Sequence, residues 1–144
     1  MSKPIYTAVA TVTGGREGRG TSSDGKLDVA LALPPEMGGN GGAGTNPEQL
    51  FAVGYAACFE GALSFVGGRE GADVEGVSIE SSVTLLPTDS GGFKLAVELD
   101  VTLPQLDGED AVALVRAADA VCPYSNALRG NVEVTLLANG ARVD

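Results

Sequence analysis

The sequence predicts an α+β fold. Several segments alternate apolar and polar residues with the period of a strand, and glycine-containing turns join some of them directly into hairpins. Two longer segments carry helical patterning, so the order reads strands, helix, hairpin, helix, strand. The chain has 144 residues, 44% of them apolar, which suits one domain over 1–144 with a real core.

Each element has its own warrant. "IYTAVATVT" alternates over residues 5–13, with Ile5, Ala8, Ala10 and Val12 supplying part of its apolar content. "GGREGRG" reads as a loop, Asp24-Gly25 as a hairpin turn and "LDVALAL" as a strand. After the glycine-rich "EMGGNGGAG", Asn46 suits a helix N-cap, Pro47 the first helical position and Gln49 the third, a capping-box arrangement. This helix is expected to run to about Val66. "VSIESSVTLLP" and "GFKLAVELDVTLP" form a hairpin around "TDSGG", with Phe93, Leu95, Val97, Leu99 and Val101 on one face. "DGEDAVALVRAADAVC" is a second helix with Leu114, Ala118, Val121 and Cys122 as its buried stripe. Pro123 ends or kinks it, "YSNALRG" is a short turn closed by Gly130, and "NVEVTLLA" is a last strand. Hairpin joints imply a largely antiparallel sheet.

The first helix is apolar nearly all round, from Leu50 and Phe51 to Phe65 and Val66. Such a helix needs burial on most sides, and one small sheet covers only one, so a partner subunit is expected to cover the rest. No apolar run is expected to reach membrane-spanning length. No charged region followed by an apolar stretch opens the chain, so the expected location is cytoplasmic.

Formal net charge is −10, which argues against nucleic acid and against an anionic membrane surface as partners. There is no histidine, which removes Ser-His-Asp and Cys-His catalysis and most zinc and iron sites. The two cysteines, Cys58 and Cys122, are too far apart in sequence for a CxxC motif and too few for a disulfide scaffold.

The sites each have a plain and a chemical reading. Gly39, Gly41 and Gly44 spell a formal G-x-G-x-x-G before a helix, but an antiparallel hairpin follows where a dinucleotide site needs a parallel strand, and the plain reading is a loop. A buried cysteine is most often a small inert hydrophobe. As a reagent it must be a thiolate, and burial opposes that, so a cation is needed; without histidine it must be arginine or lysine. Arg16, in "TGGREG", is a solvated loop residue or that cation. Glu48, in the first helical turn, complements the helix dipole or orients an arginine by a bidentate pair.

"TGGREGRGTSSDG", "NPEQLFAVGYAACF" and "VCPYSNALRGNVEV", in this order, closely resemble the organic hydroperoxide resistance proteins of the Ohr/OsmC family, over essentially the whole chain. "CPYSNA" resembles the Ohr branch. The resemblance implies an OsmC-like fold, with antiparallel sheets wrapped around central helices in an intertwined homodimer. It implies a thiol-dependent peroxidase, with Cys58 as peroxidatic cysteine, Cys122 as resolving cysteine, Arg16 activating thiolate and peroxide, and Glu48 pairing with Arg16. It implies no metal or bound cofactor, and a reductant of the lipoyl dithiol type carried on a lipoylated protein.

Two expectations come from the residues themselves. Glu48 and Cys58 lie ten residues apart on one helix, about 15 Å along its axis. Either the helix breaks at Gly54 or a second subunit supplies Arg16 and Glu48, and the second is expected, as composite sites at a two-fold interface. Phe51, Tyr55 and Phe59 flank Cys58 and are expected to line an apolar pocket favouring alkyl, aryl or fatty-acyl hydroperoxides, unless they are simply core. The competing class is a binding or stress-associated protein with vestigial cysteines.

Overall fold

The computed structural model describes residues 2–144, in two compact units, one extending through Leu50 and the other Phe51–Asp144. The first carries a three-stranded antiparallel sheet: β1 (Ala10–Thr13), β2 (Arg19–Ser22) and β3 (Asp28–Ala30), in the order β1-β2-β3. β1 is shorter than its alternation predicts. β2 falls in "RGTS", where sequence reading expected only loop and turn, because its pairing with both neighbours overrides a poor strand composition. The Asp24-Gly25 turn forms as expected: Gly25 has φ 74, and Asp24 Oδ1 accepts from the Ser22 hydroxyl at 2.6 Å and the Lys26 N–H at 3.0 Å.

α1 (Pro47–Glu70) starts where its cap predicts, with Asn46 Oδ1 accepting the Gln49 N–H at 2.8 Å. The Gln49 side chain accepts from the Thr45 hydroxyl at 2.7 Å, so the reciprocal arm of a capping box is replaced. The helix outlasts the Val66 estimate. Gly67 and Gly68 stay helical; a Cβ at Gly67 would stand 3.0 Å from Val74 Cγ1, and the turn closes only at Gly71, φ 71, where the Ala72 N–H reaches back to the Gly67 carbonyl. By length and composition α1 could cross a membrane, which corrects the expectation that no run is long enough. Its Tyr55, Phe59, Ala62, Leu63 and Val66 are buried, while Val53 and Phe65 are exposed.

The second unit holds the core. β4 (Ser78–Pro87) and β5 (Phe93–Thr102) pair antiparallel from Pro87↔Phe93 to Ser78↔Thr102. β6 (Glu133–Ala138) runs parallel to β5, and β7 (Ala141–Val143) returns antiparallel on β6, giving the order β4-β5-β6-β7. The parallel pair departs from the largely antiparallel expectation. It follows from the crossover through α2 (Gly108–Val121) and α3 (Pro123–Leu128), which lets the chain re-enter the sheet in the same direction. Val97, Leu99 and Val101 turn inward as the alternation predicts, whereas Phe93 at the strand start is exposed. On α2 the buried side chains are Ala111, Leu114, Val115 and Ala118, with Cys122 just beyond; Val121 is 38% exposed, outside the stripe assigned to it. Asp107 caps α2 by accepting the Asp110 N–H.

Candidate active site

Two of the side-chain pairs expected from the sequence form, one in each unit. Arg16 sits on the 3₁₀ turn Gly15–Glu17 between β1 and β2. The glycines around it are required: Gly14 and Gly15 have φ 78 and 58, and a Cβ on Gly18 would lie 1.7 Å from the Thr13 carbonyl oxygen. The turn aims Arg16 at the first turn of α1, where its Nη1 and Nη2 donate to Glu48 Oε1 and Oε2 at 2.8 and 3.0 Å. This is the bidentate fork expected of the pair. Arg16 holds the Glu48 carboxyl below the ordinary carboxylate range, and Glu48 in return raises the guanidinium further.

Cys58 and Cys122 form the second pair, 64 positions apart in sequence and 3.8 Å apart at sulfur, both as free thiols. Cys58 lies half-buried in the middle of α1. Cys122 is fully buried at the joint between α2 and α3, where its own N–H bonds the Ala118 carbonyl and its carbonyl accepts the Asn126 N–H. Pro123 creates this joint, since it cannot continue α2 but is well placed as the first residue of α3. Burial pushes the Cys58 thiol above its ordinary value. A hydrogen bond from the Tyr124 backbone N–H opposes this, and proximity to Cys122 reinforces it. None of these influences is a cation, which is what a reactive thiolate needs.

Phe51, Pro123, Tyr124, Ala127 and Leu128 line an open apolar cavity of about 350 Å³, whose Pro123 and Tyr124 directly follow Cys122 in the chain. Of the expected pocket residues, Phe51 is on this wall. Tyr55 and Phe59 are fully buried and stack edge-on behind it, with ring centroids 6.3 Å (Phe51–Tyr55) and 6.4 Å (Tyr55–Phe59) apart. Tyr124 was not singled out from sequence. It packs against both Phe51 and Tyr55, at 5.8 and 5.7 Å, and its hydroxyl occupies the space a Cβ on Gly54 would need. α1 runs unbroken through Gly54, so a helix break there does not occur. Among the described residues, no cluster of potential ligands could hold a metal ion. The Gly39–Gly44 loop precedes a helix whose next strand, β4, enters an antiparallel pair, so it lacks the setting of a dinucleotide site.

Residues 38–137 match the family model described as OsmC-like protein. The chain is 55% identical over 137 residues to an organic hydroperoxide resistance protein of Xanthomonas axonopodis pv. citri, covering 93% of this chain and 94% of that one. It is 49% identical over 133 residues to the organic hydroperoxide resistance protein OhrB of Bacillus subtilis, covering 92% and 96%. A crystal structure of an organic hydroperoxide resistance protein from Legionella pneumophila superposes with TM-score 0.90 at 50% identity, over 94% of this chain and 98% of that one. The crystal structure of B. subtilis OhrB does so with TM-score 0.85 at 47% identity, over 93% and 98%. With this fold, this pair of thiols and these relatives, the chain belongs to the OsmC-like family, among the organic hydroperoxide resistance proteins.

Proposed function

We propose that this protein is a cysteine-based peroxidase that reduces organic hydroperoxides to alcohols. The observation that carries the reading is the 3.8 Å approach of two free thiols, one half-exposed and one buried. Cys58 thiolate attacks the distal peroxide oxygen; the O–O bond breaks, alcohol leaves and Cys58 becomes a sulfenic acid. Cys122 condenses with it, releasing water and leaving a Cys58–Cys122 disulfide. A lipoyl-type dithiol on a lipoylated protein then restores both thiols by exchange. No metal or bound cofactor takes part. The cavity favours alkyl, aryl and fatty-acyl hydroperoxides, since apolar walls give hydrogen peroxide no advantage. Phe51 and Tyr124 line it, with Tyr55 and Phe59 supporting them from the core.

Arg16 is the cation this scheme assigns to Cys58, oriented by Glu48. An unbroken α1 separates Glu48 from Cys58 by about 15 Å along the axis, more than a glutamate side chain spans. The scheme therefore assigns to each Cys58 the Arg16–Glu48 pair of a second copy, giving two composite sites in a homodimer. The apolar side chains of Val53 and Phe65, exposed on α1, are consistent with a face that a second copy covers. The reducing cytoplasm is the compartment in which such thiols stay free between turnovers, and the physiological role is resistance to organic peroxide stress.

Turnover of cumene hydroperoxide with a dihydrolipoyl donor tests the reading. Cys58→Ser abolishes it. Cys122→Ser permits one oxidation and stops recycling. Full activity in both variants overturns the mechanism, and a fully active monomer in sedimentation overturns the composite site.

A further inference from the structure

A second pair of side chains bridges the elements that carry the two thiols. The hydroxyls of Tyr55 and Ser125 lie 2.7 Å apart. Tyr55 stands three residues before Cys58 on α1, and Ser125 three residues after Cys122 on α3. The polar bridge and the thiol pair are therefore about one helical turn apart across the same helix contact. Tyr55 is 0% exposed and Ser125 3%, so each hydroxyl depends on the other for a partner. The bridge joins α1 to α3 through two side chains, beside the hydrogen bond that the Tyr124 backbone N–H gives the Cys58 sulfur. α3 is in turn tied to α2: Arg129 donates to the Asp119 carbonyl at 2.9 Å and to Asn126 Oδ1 at 2.6 Å. A cavity of about 170 Å³ lies against Tyr55, Ser125 and Arg129, leaving room on that side for displacement.

We propose that the Tyr55–Ser125 hydrogen bond is the positioning device for the second half of the cycle, holding Cys122 close enough that disulfide formation outruns further oxidation of Cys58. The inference rests on the peroxidase reading above. In the productive step the Cys122 sulfur bonds the Cys58 sulfur, the S–O bond of the sulfenic acid breaks, and its oxygen leaves as water with the Cys122 proton. In the competing step a second hydroperoxide gives its distal oxygen to the sulfenic sulfur. Sulfinic acid and alcohol form, the sulfur losing two electrons and the peroxide gaining them. From 3.8 Å the sulfurs must close by about 1.8 Å to bond. Side-chain rotation covers that distance while the helices stay in register. Without the hydroxyl bridge α3 is held to α1 by the Tyr124 N–H on Cys58 and by ring packing alone, Cys122 samples wider separations, and the sulfenic acid persists long enough to meet a second peroxide.

The test is the ratio of Cys58 sulfinic acid to disulfide. Reduced protein is treated with about a tenfold excess of cumene hydroperoxide, without a reductant, and the products are resolved by mass spectrometry. Ser125→Ala is expected to raise the ratio about fivefold while the rate of the first oxidation stays parental. Tyr55→Phe is expected to raise the ratio as much. Ser125→Thr, which keeps the hydroxyl and has the cavity for its methyl group, is expected to keep the parental ratio. A merely structural bridge would lower the melting temperature and leave the ratio alone. Folded Ser125→Ala or Tyr55→Phe with a parental ratio overturns the inference; should one of them fail to fold, the other decides. Parent protein that forms neither disulfide nor sulfenic acid overturns the peroxidase reading itself.

Discussion

The two candidate pairs are built in opposite ways. Arg16–Glu48 belongs to a thin sheet unit in which every strand residue except Gly20 is exposed or half-exposed, and glycine geometry plus one bidentate ion pair holds it. Cys58–Cys122 belongs to a unit with a dense apolar core, and packing holds it. In the proposed cycle the pair that carries charge stays where water and counter-ions reach it. The pair proposed to meet an apolar substrate is embedded, at the cost of raised Cys58 affinity for its proton. The first pair should thus respond to pH and the second to cavities.

Removing a core side chain breaks the embedded half most severely. Leu99, fully buried on β5, is expected to cost about 3–4 kcal/mol as Leu99→Ala, read by denaturant unfolding; a loss under about 1 kcal/mol would mean this core is not what supports the thiols. Next comes the polar half. Arg16→Ala is expected to slow the first oxidation of Cys58 about 10²-fold and to move the thiol's apparent pKa upward, with Arg16→Lys recovering charge but not the fork. An unchanged pH–rate profile would show that Cys58 draws its cation from elsewhere.

The smallest effect concerns Glu48. Its carboxyl is held below its unfolded value of 4.5 by Arg16, so the stability it contributes is present above that value and is lost as pH falls through the folded pKa. With 18% of its side chain exposed, the contribution is under about 1 kcal/mol. Glu48→Gln is expected to flatten the fall in melting temperature below about pH 4.5, while leaving neutral-pH stability slightly lower.

Much of this was legible because local chemistry agreed with the fold. The Asn46 cap, the Asp24-Gly25 turn and the alternation in β5 each name their element unaided. The thiol pair and the Arg16–Glu48 pair were readable through long family-like motifs, although neither follows from sequence distance. What escaped was set by pairing and packing. β2 and β7 are strands because neighbours present hydrogen-bonding edges, and β6 is parallel because of its crossover. Tyr55 and Ser125 are 70 positions apart, and nothing local marks either as the other's partner.

The straightness of α1 has a genetic consequence. A helix that does not break fixes a spacing, so within the proposed homodimer the wiring of each site becomes countable. Chains carrying Arg16→Ala and chains carrying Cys58→Ser, each inactive alone, should complement when unfolded together in equal amounts and reassembled. Half of the resulting dimers would be mixed, and each mixed dimer would hold one site with both an intact thiol and an intact arginine, restoring about a quarter of parental activity. Wiring within one chain would restore none.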